Sequence, residues 1–160
     1  MPASNLTASL RYYRPGITQV NYTPTIANKN APTRAEINAG TNLSVEVNAI
    51  DGWQPTSNFL DAPDLVSAFV PKVAGSIEAG DSSLTLYASS NSTDARTLLA
   101  RGVTGFILMF DETDIPGRKY DVYPVTVGSQ AKIRDLGDVA KIQFSFAITS
   151  APVENITVPA

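Results

Sequence analysis

Side chains able to do chemistry are few in this chain, and nearly all of them are carboxylates. The densest cluster is Asp111-Glu112-Thr113-Asp114, three acids in four residues ahead of a Pro116-Gly117 turn. Such a run can hold a calcium ion or pair two acids for proton transfer. It lacks the alternating acids and central glycine by which a calcium loop wraps its ion, and a solvated turn whose charges end a strand is the simpler account. Asp51, Asp61 and Asp64 form a second set. Glycoside hydrolysis needs two carboxylates at a defined separation, which spacing along a chain does not supply. Lys132, Arg134, Asp135 and Asp138 read as a mixed-charge surface loop.

The chain has no histidine, which removes the usual general base, the commonest metal ligand and every Ser-His or Cys-His nucleophile. It has no cysteine, hence no disulfide framework and no thiolate metal site. Neither a GxxxxGK loop nor a GxGxxG turn occurs. No catalytic, cofactor-binding or metal-ligating residue is therefore assigned, and no cofactor is expected.

At 160 residues one domain is the default, spanning 1–160, and 43% hydrophobic residues suffice for a core. Twelve basic against fifteen acidic residues leave a net charge of −3. A protein that grips nucleic acid by neutralising phosphates wants a basic stripe instead. The longest apolar run, Phe106 to Phe110, is strand-sized, so no bilayer span is expected. Met1-Pro2-Ala3-Ser4 begins neither a charged nor an apolar leader, which predicts a soluble protein made in the cytoplasm.

The elements that would position these residues are mostly strands. In Lys141 to Thr149, apolar Ile142, Phe144, Phe146 and Ile148 alternate with Lys141, Gln143, Ser145, Ala147 and Thr149. Successive strand side chains point to opposite faces, so this strand has one dry face and one wet, nearly uncharged face. Leu43, Val45, Val47 and Ala49 alternate in the same way against Ser44, Glu46 and Asn48, predicting a second two-faced strand. Val103 to Phe110 is apolar on both sides and reads as central. Further strands are expected at 17–23, 65–73, 84–87 and 119–127, the last broken by Pro124. Thr33 and Glu36 have capping-box spacing for a short helix closing at Gly40. A second helix is expected over 93–101, with Asp94 at its start and Gly102 beyond its end.

Residues 51–64, with two prolines and the apolar Trp53, Phe59 and Leu60, read as a loop with adhesive tips. Trp53 suits either a core position or an interface anchor. Residues 1–16 read as an N-terminal arm and 150–160 as a C-terminal tail.

Three segments resemble the major tail proteins of long-tailed, non-contractile bacteriophages: Pro32 to Leu43, Ala95 to Gly105 and Asp138 to Ile148. The order of elements is similar over nearly the full chain. The resemblance implies a mainly β fold: an antiparallel β-sandwich or half-barrel of the tail tube type, with one or two short helices and extended terminal arms. It also implies a structural virion protein forming stacked hexameric rings, the tube through which the genome is ejected. Tape measure and tail terminator proteins would be partners, double-stranded DNA a passing cargo, and the virion tail the location. A related tube fold serves contractile tails.

On that reading Ser44, Glu46, Asn48, Gln143, Ser145 and Thr149 are expected to line the lumen. Trp53, Gln54, Phe59 and Leu60 are expected to reach the next ring. A β-sandwich binding module, such as an adhesin or a capsid decoration protein, is the alternative. A carbohydrate-active enzyme would need a cleft with two acids.

Overall fold

The computed structural model describes residues 9, 15–91 and 94–160. One antiparallel sheet runs in the order β2 (Thr41–Asn42), β1 (Gln19–Thr23), β7 (Thr104–Phe110), β8 (Lys119–Ile133), β9 (Lys141–Ile148), β6 (Ser82–Tyr87) and β3 (Val47–Asp51), while β10 (Val153–Thr157) pairs with β8 off this path. The remaining strands, β4 (Pro55–Asp61) and β5 (Lys72–Ala79), pair with each other in a separate hairpin. The described residues also form two short helices, α1 (Arg34–Asn38) and α2 (Ala95–Leu98).

Alternation along the strands explains why the sheet curls. Val20 and Tyr22 of β1, Ile107 of β7, Val125 and Val127 of β8, Phe144 of β9 and Leu84 of β6 meet in one buried cluster. Side chains from so many neighbouring strands touch only if the sheet rolls into a half-barrel around them. It does not close, because β3 and β2 remain its two edges. Full burial of each large apolar side chain in this cluster contributes about 1.5–3 kcal/mol.

A second cluster lies on the outer face, where Leu108, Phe110, Tyr120 and Val122 are covered by Ile37 of α1, Ile26 and Val158. The rings of Phe110 and Tyr120 stack at 4.9 Å. Both halves of the capping box predicted at Thr33 and Glu36 are present, which fixes where α1 begins over this patch.

β8 is fifteen residues long, well beyond the expected 119–127, and Pro124 does not break it. The Pro124 carbonyl accepts the Thr149 N–H at 2.9 Å, so the proline's polar edge faces the side occupied first by β10 and then by β9. Its missing N–H falls at the seam between those two strands, where the ladder is interrupted anyway.

Five expectations need correction. The strand expected from Leu43 begins only at Val47, because Ser44 to Glu46 form a turn. There Asn42 Oδ1 accepts the Ser44 N–H at 2.8 Å and Ser44 Oγ accepts the Val20 N–H at 2.9 Å, side-chain bonds that displace a ladder. Val45, expected inside, is 85% exposed.

Residues 51–64 are not a loop throughout: Pro55–Asp61 form β4, and Pro55 sits at its first position, where a missing N–H costs little. The strand expected at 65–73 is largely the hairpin tip instead, where Asp64 Oδ1 accepts the N–H groups of Val66 and Ser67. The segment 150–160 is not an extended arm, since β10 pairs with β8 and Val158 is buried. Finally, α2 covers only Ala95–Leu98 of the expected 93–101. Of the N-terminal arm, 1–16, only Ser9, Pro15 and Gly16 fall within the described residues.

Candidate functional site: a polar sheet face and a projecting hairpin

The wet face of β9 continues across its neighbours. Ser145 stands between Ser129 of β8 and Ser83 of β6, Gln143 between Ala131 and Thr85, and Lys141 between Ile133 and Tyr87. Ala49 and Asp51 of β3 extend the rows beside Thr85 and Ser83. The result is a four-strand wall of small hydroxyl, amide and methyl groups.

Its members bond mostly to one another. The Ser129 and Ser145 hydroxyls lie 2.7 Å apart, Gln143 Nε2 donates to Ser83 Oγ at 3.3 Å, and Asn48 Nδ2 donates to the Tyr87 hydroxyl at 2.9 Å. Gly128 permits the close approach of β8, for a Cβ there would meet Ser145 Oγ at 2.9 Å. Lys141 is the cation in these rows, and Asp138 holds it at 2.6 Å, which raises the lysine pKa.

Of the residues expected to line a lumen, Gln143, Ser145 and Asn48 are brought together on this wall. Thr149 is exposed just past the end of β9. Ser44 and Glu46 lie in the turn before β3, with the Ser44 hydroxyl spent on Val20 and the Glu46 carbonyl accepting the Tyr87 N–H at 2.9 Å. Ser83, Thr85 and Ser129 were not singled out from the sequence. The alternation Ser83, Thr85 against Leu84, Leu86 was the available signal for two of them.

Among the described residues the β4–β5 hairpin packs on no other strand or helix beyond a few marginal contacts. A two-stranded ribbon is marginally stable alone in water. This one exposes Phe59, Leu60, Val73 and Ile77 along its length and Leu65, Val66 and Phe69 at its tip. A β-bulge between Ser57 and Phe59 kinks it, and Lys72 pairs with Asp61 at 2.6 Å near the tip. Gln54 is exposed at the base.

Trp53 is not at a tip. It is 6% exposed, its indole N–H donates to the Ser83 carbonyl at 3.0 Å, and its ring packs on Tyr123 and Phe146 at 5.2 and 5.3 Å. It anchors the ribbon to the half-barrel from inside.

The carboxylates that could have done chemistry are mostly occupied. Asp114 takes a bidentate pair of bonds from Arg34, Glu112 pairs with Arg118 at 2.7 Å, and Asp61 and Asp64 serve the hairpin. Burial pushes the Asp121 carboxyl up, against the pull of the Asn155 N–H bonded to it. Among the described residues no three His, Cys, Asp or Glu side chains converge on a point that could hold a metal. No described helix is long and apolar enough to cross a membrane.

The family model for the phage tail tube protein matches residues 7–160. The chain belongs to the phage tail tube protein family. It is a structural tail component by that membership. No curated protein matches it in sequence.

Solved structures share the tail tube fold at low identity. A sheath/tube terminator of an extracellular contractile injection system, PVC, is 11% identical with a TM-score of 0.62, covering 92% of this chain and 100% of that one. A chain from the tail of an empty GTA particle with C6 symmetry is 11% identical, TM-score 0.55, over 88% of this chain and 95% of that one. A chain from the baseplate of the anti-feeding prophage is 13% identical, TM-score 0.58, over 93% and 98%. At such identities the likeness concerns the fold alone.

Proposed function

We propose that this tail tube protein forms hexameric rings that stack into the tube of a virion tail, and that the genome is ejected through its bore. The observation that carries the reading is the β4–β5 ribbon, whose apolar side chains stay half or more exposed among the described residues. Exposed apolar surface of that extent marks an interaction site. A neighbouring ring of the same chain would bury it. The open edges of the main sheet, β3 and β2, would meet those of adjacent subunits, so that ring closure removes them.

The bore would be lined by the polar wall, with Gln143, Ser145 and Asn48 at its centre and Thr149, Ser44 and Glu46 along its margins. DNA carries about one negative charge per 1.7 Å, and a bore of free lysines would hold it by releasing counterions. A wall of hydroxyls and amides whose lysine is already paired offers hydration without that grip. Phe59 and Leu60 would be the ring-to-ring anchors, with Gln54 at the base of the same ribbon. A tail terminator and a tape measure protein would meet the tube at its end and inside its bore.

Negative-stain microscopy of the concentrated protein tests this directly. Tubes with six-fold rings are expected from the intact chain, and rings or monomers from a chain whose residues 56–78 are replaced by a short turn. A compact single particle at every concentration would reject the tube in favour of a decoration or adhesion module.

A further inference from the structure

The strands that build the polar wall end in two chemically opposite rims. At the end where β9 begins, Lys132 lies in the last residues of β8 and Arg134 just beyond it, and neither has an ion-pair partner among the described residues. Beyond them Leu136 is fully exposed at 109% and Val139 is 62% exposed. At the other end of the same strands lie Asp51 of β3 and Asp81 in the β5–β6 turn. These acids also lack ion-pair partners among the described residues.

Asp51, Gly80 and Asp81 line an open cleft together with Phe146, Ala147 and Ile148, and the cleft runs on into Ser83, Ser129, Gln143 and Ser145 of the polar wall. At about 3.3 Å per residue the two rims stand roughly 20–25 Å apart along the strands.

We propose that the end of β8 and the β8–β9 turn form an axial contact: Lys132 and Arg134 of one subunit approach Asp51 and Asp81 of a second copy stacked end to end, and Leu136 rests at the Asp51–Asp81 end of that cleft, short of the polar wall. This deepens the tube reading above and rests on it, but it concerns a different part of the chain from the ribbon. Complementary ends on one rigid sheet make a head-to-tail contact, which repeats without limit when the copies are coaxial. Opposite charges favour the correct polarity, because a ring added upside down brings like charges together. The apolar side chain in the cleft supplies burial that the charges alone do not.

The test uses the full chain and compares tube length and the concentration needed for growth, by electron microscopy and sedimentation, at low and high salt. Lys132→Glu with Arg134→Glu, and separately Asp51→Lys with Asp81→Lys, should each raise that concentration by roughly tenfold or more at low salt. The four-fold variant, which restores complementarity in the opposite sense, should recover growth. Far-UV circular dichroism and melting confirm that each variant folds. Where a reversal does not fold, the milder Lys132→Gln with Arg134→Gln should still raise the concentration and flatten its dependence on salt.

Wild-type tubes together with unchanged growth of a folded charge variant would overturn the contact and leave the tube reading standing. A four-fold variant that stays as short as either pair alone would overturn it too. A wild-type chain that never forms tubes would remove both.

Discussion

A Cβ placed on Gly105 would come within 2.6 Å of Cε2 of Tyr22 and 2.7 Å of its hydroxyl oxygen. The phenol lies across the glycine and donates to the Thr104 carbonyl at 3.0 Å, with only 2% of the residue exposed. Real side chains do not tolerate that approach, so Gly105 is what allows β1 to close against β7. Gly105→Ala is expected to drive the ring out of its seat and cost about 1–3 kcal/mol. A lowered urea midpoint at unchanged slope would show it.

Trp53 and the pair Phe59 and Leu60 separate folding from assembly. Trp53→Ala removes a ring packed on Tyr123 and Phe146 and should cost about 3–5 kcal/mol, read as a lower melting temperature. Phe59→Ser with Leu60→Ser touches exposed side chains and should leave the melting temperature nearly unchanged while stopping tube growth. Long tubes from the folded double variant would remove Phe59 and Leu60 as ring-to-ring anchors.

Asp94 makes the fold sensitive to acid. Its carboxylate caps α2 through the Arg96 N–H and takes the Ser89 N–H and the Arg96 side chain, which chiefly holds its pKa down to about 2 from 3.8. Because the folded value lies below the unfolded one, this stabilisation is present above about pH 4 and is lost as the pH falls towards 2. Asp94→Asn keeps a capping side chain and removes the charge. The variant should be less stable at neutral pH by on the order of 1 kcal/mol. The difference from wild type should vanish in strong acid, as thermal melts across the pH range would record.

Residues 151–160 belong to the subunit that carries them. Removing them takes away β10 and uncovers the outer cluster of Leu108, Tyr120 and Val122. The truncated monomer is expected to lose several kcal/mol of stability or fail to fold. An arm that docked only on neighbours would leave monomer stability untouched and weaken tubes alone.

Gln143→Lys with Ser145→Lys would place two free cations on the polar wall. Tubes should still assemble, because neither side chain reaches the core, while DNA release from tails built of this variant should slow and its salt dependence steepen. Normal ejection at low salt would remove these residues from the bore.

The sheet was legible in the sequence wherever one strand had two distinct faces. Ile142, Phe144 and Phe146 against Gln143 and Ser145 gave both the core and the polar wall, because β9 has neighbours on both edges and its pattern is undisturbed. Thr33 and Glu36 fixed the start of α1 for the same local reason. Legibility failed where a non-local partner decided the outcome. β4 has loop composition and becomes a strand only because β5 lies beside it. Val45 sits in a run that alternates as a strand should, yet Asn42 and Ser44 turn the chain there with their own side chains. The register of β10 on β8 depends on the interruption at Pro124, which no local pattern announces.

β8 reaches its final state late in synthesis, since the strands that complete its second edge, β9 and β10, are both made after it. β9 is also the strand between β8 and β6, so until it emerges the two halves of the wall have no hinge between them. A chain that lacks β9 therefore cannot present the polar wall as one continuous surface.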